Sequence, residues 1–158
     1  MASPSATARQ TPNGIKLKDG HGTLITFSSD PNLSVWEVGV TPPGMDGGDA
    51  IEQTTHHNVT YRTKAPQSLI DLTEGQIRVQ YDPVCISEIR AMINVEQTLT
   101  VTYPDGSTDA IFGYLRTFET EEIVTGETPE ATMSFVPTNV EPGTSTEEAP
   151  VYVDVPGT

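Results

Sequence analysis

Positive charge is scarce in this chain: eight lysines and arginines stand against 22 aspartates and glutamates, a formal net charge of −14. A field of that sign repels phosphate backbones and anionic lipid, which argues against a protein that grips nucleic acid or a charged membrane surface. Cysteine is nearly missing as well. Cys85 stands alone, so it can form no internal disulfide and has no second thiol for a zinc site, and nothing suggests an oxidising compartment. No apolar run is long enough to span a bilayer as a helix. Met1 to Gln10 lacks the apolar stretch of a signal peptide, so cytoplasmic synthesis is the expectation. Asn32-Leu33-Ser34 and Asn58-Val59-Thr60 match the glycosylation sequon but carry no weight without secretion.

Catalytic signatures are also wanting. There is no Gly-x-Ser-x-Gly elbow and no cysteine-histidine pairing. His56 and His57 are adjacent, so on a strand they would face opposite ways, and only His21 accompanies them. Gly47-Gly48-Asp49 lacks the lysine and hydroxyl of a phosphate loop and the alternating carboxylates of a calcium loop, and reads as a bend. No catalytic, cofactor-binding or metal-ligating residue is assigned, and the expectation is a protein that is not an enzyme.

What the chain does have is turn chemistry. Thirteen prolines and thirteen glycines among 158 residues, with 35% hydrophobic residues, favour many short strands in one β domain over a helical bundle. Residues 1–22 are rich in Ser, Thr, Ala, Pro and Gly without periodicity and read as an arm, the domain proper as 23–138, and the acidic, proline-broken stretch 139–158 as a second arm. Strands are expected at Thr23 to Ser28 and Ser34 to Val40, the latter with Trp36, Val38 and Val40 on one face and Trp36 as a core anchor. A long polar connection, 41–66, follows; compact domains seldom carry one without a use for it.

Beyond a short apolar piece from Ser68 to Leu72, Gln76 to Tyr81 alternates cleanly, placing Gln76, Arg78 and Gln80 opposite Ile77, Val79 and Tyr81. Asp82-Pro83 has the form of a helix start, N-cap then N1, with the helix running over 83–93 and Asn94 near its C-cap. Cys85, Ile86, Ile89, Met92 and Ile93 fall on one stripe of it, which makes Cys85 a packing residue. Leu99, Val101 and Tyr103 alternate with Thr98, Thr100 and Thr102 before Pro104-Asp105-Gly106-Ser107 turns the chain back into Thr108 to Phe118. The last strand, Glu130 to Val136, has Ala131, Met133 and Phe135 on one side and Glu130, Thr132 and Ser134 on the other. Three polar rows result, Gln76/Arg78/Gln80, Thr98/Thr100/Thr102 and Glu130/Thr132/Ser134.

Trp36-Glu37-Val38, Thr41-Pro42-Pro43-Gly44 with Gly47-Gly48-Asp49, Thr54-Thr55-His56-His57-Asn58, Arg62-Thr63-Lys64-Ala65-Pro66, Tyr81-Asp82-Pro83, Thr102 to Ser107, Gly113-Tyr114-Leu115 and Ala131 to Asn139 occur in an order and spacing that resembles tail tube proteins, the major tail proteins of long-tailed bacteriophages. The resemblance covers nearly all of the chain beyond the first arm. It implies a mainly β domain, a β-sandwich or half-barrel with one flanking helix and a long extended loop. Six copies would form a ring whose inner sheets join into a ring-wide barrel, and rings would stack into a tube. It further implies a virion protein assembled in the host cytoplasm, with itself, the tape measure protein, a tail terminator and baseplate or tail-tip proteins as partners. DNA would pass without specific binding through a channel for which the three polar rows, Gln76/Arg78/Gln80, Thr98/Thr100/Thr102 and Glu130/Thr132/Ser134, are the candidate walls, and no membrane or cofactor would be involved. The loop would contact neighbouring subunits and rings through Met45, Asp46, Asp49, Ile51, His56, His57, Asn58, Tyr61, Arg62 and Lys64. A different class of reading is a monomeric or trimeric β-sandwich binding module, such as a capsid decoration protein or an adhesin domain, with Tyr61 and Tyr114 in a ligand face.

Overall fold

The computed structural model describes residues 21–154, so all but the end of the first expected arm lies outside the described residues. The chain order is β1 (Leu24–Phe27), β2 (Glu37–Thr41), β3 (Met45–Asp46), β4 (Ile51–Glu52), β5 (Lys64–Ala65), β6 (Asp71–Leu72), β7 (Gly75–Gln80), α1 (Ile86–Ala91), β8 (Glu96–Thr102), β9 (Thr108–Thr120), β10 (Glu130–Pro137) and β11 (Val151–Val153). Period-two patterning builds the main sheet, an antiparallel array in the order β1-β8-β9-β10-β7-β2. Every second side chain along β7, β8 and β10 is buried: Ile77 and Val79, Leu99 and Val101, Ala131, Met133 and Phe135. Together with Ile25, Phe27, Ile111 and Leu115 they form one core, onto which Ile89 and Met92 pack. The result is a curled half-barrel with a single short helix among the described residues, in line with the expected fold. The curl brings the first and last strands together: the Ile25 amide of β1 donates to Glu37 Oε1 of β2 at 3.0 Å.

The β8–β9 hairpin closes as its turn residues require. Tyr103 N donates to Ser107 O at 2.8 Å, Ser107 N donates to Asp105 Oδ1 at 2.9 Å, and Gly106 takes φ 92°, a value glycine reaches without steric cost. Gly113 is required for a different reason: a Cβ there would run into the Val136 carbonyl oxygen of the paired strand β10.

Two expectations are corrected. Trp36 is not a core anchor but 66% exposed. The β2–β7 register shifts between Glu37 and Gly39, so Val35 and Glu37 point inward before the irregularity and Val40 after it, which turns Trp36 outward. The helix is also shorter than 83–93. Asp82 Oδ1 accepts from Val84 N at 3.0 Å and its carbonyl accepts from Cys85 N at 3.1 Å, so Asp82 organises a turn before the helix, whose N-cap is Cys85. The other end agrees: Met92 is the C-cap, and Asn94 takes φ 61° just beyond it. In the expected C-terminal arm, Val151–Val153 pair as β11 with Thr108–Ala110 of β9.

Candidate assembly surfaces

The side of the sheet away from the core gathers all three polar rows, with Ser134 buried there and not open to solvent as expected of a lining residue. Glu130, Thr132 and Ser134 of β10 stand directly opposite Gln80, Arg78 and Gln76 of β7, and Thr132 and Ser134 also face Glu119 and Thr117 of β9. Thr98, Thr100 and Thr102 of β8 face Phe112, Ala110 and Thr108. In a sheet curled until its edge strands are bridged by one side chain, β8 and β7, three places apart in a six-strand order, look outward in different directions. The threonine row and the Gln76/Arg78/Gln80 row are therefore two patches.

Arg78 and Arg116 are the cations of this sheet, and each is paired. Arg78 Nε lies 3.4 Å from Glu130 Oε2, and Arg116 Nη2 donates to Glu74 Oε1 at 2.7 Å. The second pair holds the Glu74 carboxyl below its ordinary range, mainly through the Arg116 hydrogen bond with the Ser134 hydroxyl adding to it, and holds Arg116 above its own. Arg116 reaches Glu74 because the β9–β10 register slips at this point: Ser134 pairs with Thr117 and Phe135 with Leu115, leaving Arg116 as the bulged residue.

The long connection is an extended arm, a continuation of the β2–β7 hairpin. Thr73 N donates to Gly44 O at 2.9 Å, β3 pairs with β6, Gln67 Nε2 donates to Asp49 O at 3.0 Å, β4 pairs with β5, and Gln53 N donates to Thr63 O at 2.8 Å. Asn58 organises the tip, its amide donating to Tyr61 O and Thr63 Oγ1 at 2.8 Å each and its Oδ1 accepting from Thr55 N at 2.8 Å. Of the expected contact residues, Met45, Asp46, Asp49, Ile51, His56, His57, Tyr61, Arg62 and Lys64 are all exposed along this arm, while Asn58 is half-buried in its bonds. Val59, at 98% exposure, and Tyr61, at 82%, offer apolar surface that none of the described residues covers.

Two features went unremarked in the sequence. The β9–β10 loop concentrates glutamates around exposed Ile123 and Val124, visible as a run without a cation but meaningless until its place in the fold is known. Asp109 is a core-side polar residue, opposite Val101 on one side and Tyr152 of β11 on the other; burial pushes its carboxyl up, and burial with the nearby Asp109 and Tyr152 pushes the Tyr103 phenol up. Burial also raises the Cys85 thiol, with Asp82 adding to it, in keeping with a packing role. Among the described residues no group of three or more His, Cys, Asp or Glu side chains is arranged to hold a metal ion.

Against solved structures, this geometry has a counterpart. A chain in the sixfold-symmetrised cryo-EM structure of the anti-feeding prophage baseplate is similar in fold, with a TM-score of 0.56 over 83% of this chain and 90% of that one. Identity is 5%, so the likeness is one of fold. No protein-family model matches the sequence. No curated protein matches it.

Proposed function

We propose that this chain is a structural subunit of a phage-type tail, assembling as six-membered rings that stack into the tail tube and conduct DNA. The observation that carries the reading is the fold likeness, spanning most of both chains, to a component of a sixfold baseplate assembly. An arm that extends from the sheet with uncovered apolar side chains supports it, since a segment of that kind is costly in a solitary subunit and useful at an interface. The tape measure protein, a tail terminator and baseplate or tail-tip proteins are the corresponding partners, and the virion the corresponding location. The role is one of building, with no chemistry assigned to any side chain.

The sheet suits a conduit. A wall that lets duplex DNA slide must not exchange phosphate counterions for its own cations, because each such contact adds to binding. Arg78 and Arg116 are neutralised by Glu130 and Glu74, and the other side chains of the polar rows are short and uncharged or acidic. Six copies carry a formal charge of −84, six times −14, although only carboxylates within a Debye length of about 8 Å act on the duplex. The test is sedimentation of the purified full chain across concentration. Large, discrete polymers above a threshold concentration are expected; dispersed monomers throughout would favour the binding-module reading instead.

A further inference from the structure

The strand β11 is left open. Among the described residues it pairs with β9 alone, and Val151, Tyr152 and Val153 are all exposed, an apolar edge of the kind that templates pairing with other chains. The stretch that carries it, 139–154, holds Glu141, Glu147, Glu148 and Asp154 without a lysine or arginine, and β1, β8 and the turn after β8 have none either. Its carboxylates crowd one another: desolvation and then the neighbouring Glu141 push the Glu148 carboxyl up.

The missing charge lies at the start of the chain. Residues 1–20 contain Arg9, Lys16 and Lys18, three of the eight basic residues, against one acid, Asp19. Ile15-Lys16-Leu17-Lys18, in an otherwise unpatterned stretch, alternates apolar and basic as an edge strand does. The register sets its reach. Leu24 pairs with Thr102, Thr102 with Thr108 and Thr108 with Val153, so β1 begins in the row where β11 ends, three strand spacings or about 14 Å away. Lys18 precedes Leu24 by six residues, up to about 20 Å of extended chain, which spans that gap. The glutamates of the β9–β10 loop lie beyond the far end of β9, whose 13 residues run about 40 Å from Thr108, and are out of reach.

We propose that Ile15–Lys18 adds as a strand to the open edge of β11 in the same chain, Ile15 and Leu17 on the side of Val151 and Val153, Lys16 and Lys18 on the side of Tyr152 and Asp154. The two alternations match, since Tyr152 and Asp154 are two apart and share one side while Val151 and Val153 share the other. Lysine stems then lie along the tyrosine ring with their ammonium groups toward Asp154. The occupant is the chain's own segment because its charge is complementary and the row from Leu24 to Val153 puts it within reach. Its use is protective: an apolar edge covered from within is closed to strands of other chains. The inference concerns the lone chain and does not depend on the tube.

The experiment follows hydrogen exchange at the amides of Val151–Val153 in the full chain, diluted until sedimentation shows single subunits, and in three variants whose folding thermal melts confirm. Leu17→Pro removes a ladder donor from the added strand, and Lys16→Glu/Lys18→Glu sets like charges beside Asp154. Each should speed exchange at β11 at least about tenfold while leaving β8 and β10 unchanged. Adding Asp154→Lys to Lys16→Glu/Lys18→Glu should recover most of the lost protection. Wild-type exchange at β11 as fast as in Leu17→Pro would overturn the proposal, as would a charge swap no better protected than Lys16→Glu/Lys18→Glu. Protection that fades on a further tenfold dilution would place the covering segment in another copy and overturn it too. Tubes at high concentration bear on the reading above and not on this one.

Discussion

At the scale of single residues, the polar side chains near the core set the pH response. Asp109 lies on the core side of β9 with its carboxyl raised by burial. Its folded pKa is above its unfolded one, so its contribution to stability is fully present below the ordinary carboxylate value and is lost as pH rises through the raised one. Ionising it therefore costs stability. Asp109→Asn, close in shape and never charged, is expected to raise the melting temperature at pH 7 and to flatten the pH dependence on the acid side. A lower melting temperature at pH 7 would mean that the ionised carboxylate is used by a partner. Glu74 works in the opposite sense, its pKa lowered chiefly by Arg116; its small contribution, discounted for exposure, is present at neutral pH and fades as pH falls. Gln97 is the unexplained residue of this set. Its Oε1 accepts from Ser29 N at 3.3 Å and from the Ser29 hydroxyl, while its Nε2 is buried without a partner, and the structure gives no account of that nitrogen.

At the scale of elements, the helix and the arm separate folding from assembly. Ile89 is buried on the stripe that α1 turns toward the sheet and Glu88 is exposed beside it. Ile89→Asp should abolish folding, since an unpaired charge in the core costs several kcal/mol or more, of the order of about 5–15 kcal/mol for a whole domain. Glu88→Ala should fall within about 0.5 kcal/mol of wild type. Similar melting curves for the two variants would refute the helix orientation. The arm offers the complementary test. Because β3 and β6 already pair Asp46 with Asp71, residues Gly47 to Ile70 can be replaced by Asn-Gly, the favoured turn of a two-residue hairpin. The shortened chain should melt close to wild type, as its core lacks no residue, yet fail to assemble. Polymers of normal appearance from this variant would remove the arm from the interface.

How much of this was legible follows the same elements. The rows on β7, β8 and β10 were readable because a half-buried antiparallel strand repeats every two residues, and the β8–β9 turn because Pro-Asp-Gly-Ser states its own geometry. Bulges defeat that reasoning. One near Val38 inverted the side assigned to Trp36, and one at Arg116 puts Leu115 and Phe118, three apart, on the same core side. Neither leaves a sequence signal, since a bulge is decided by how two distant strands settle into register. The helix start failed for a local reason: Asp82 is as good a turn former as a cap, and the turn won. Of the candidate surfaces, the arm's residues could be named from the length of the connection, but that the β9–β10 loop lies at the sheet end away from the arm is a matter of topology.

At the scale of the whole molecule, an acidic composition and a sheet whose arginines are each ion-paired fit the proposed role of a subunit that stacks without gripping what passes through. The central claim is that it does stack. Negative-stain microscopy of the purified full chain at high concentration tests this most directly. Hollow tubes of uniform diameter, with sixfold symmetry in end-on views, are the predicted result; dispersed single subunits, or irregular aggregates without a common diameter, would contradict it.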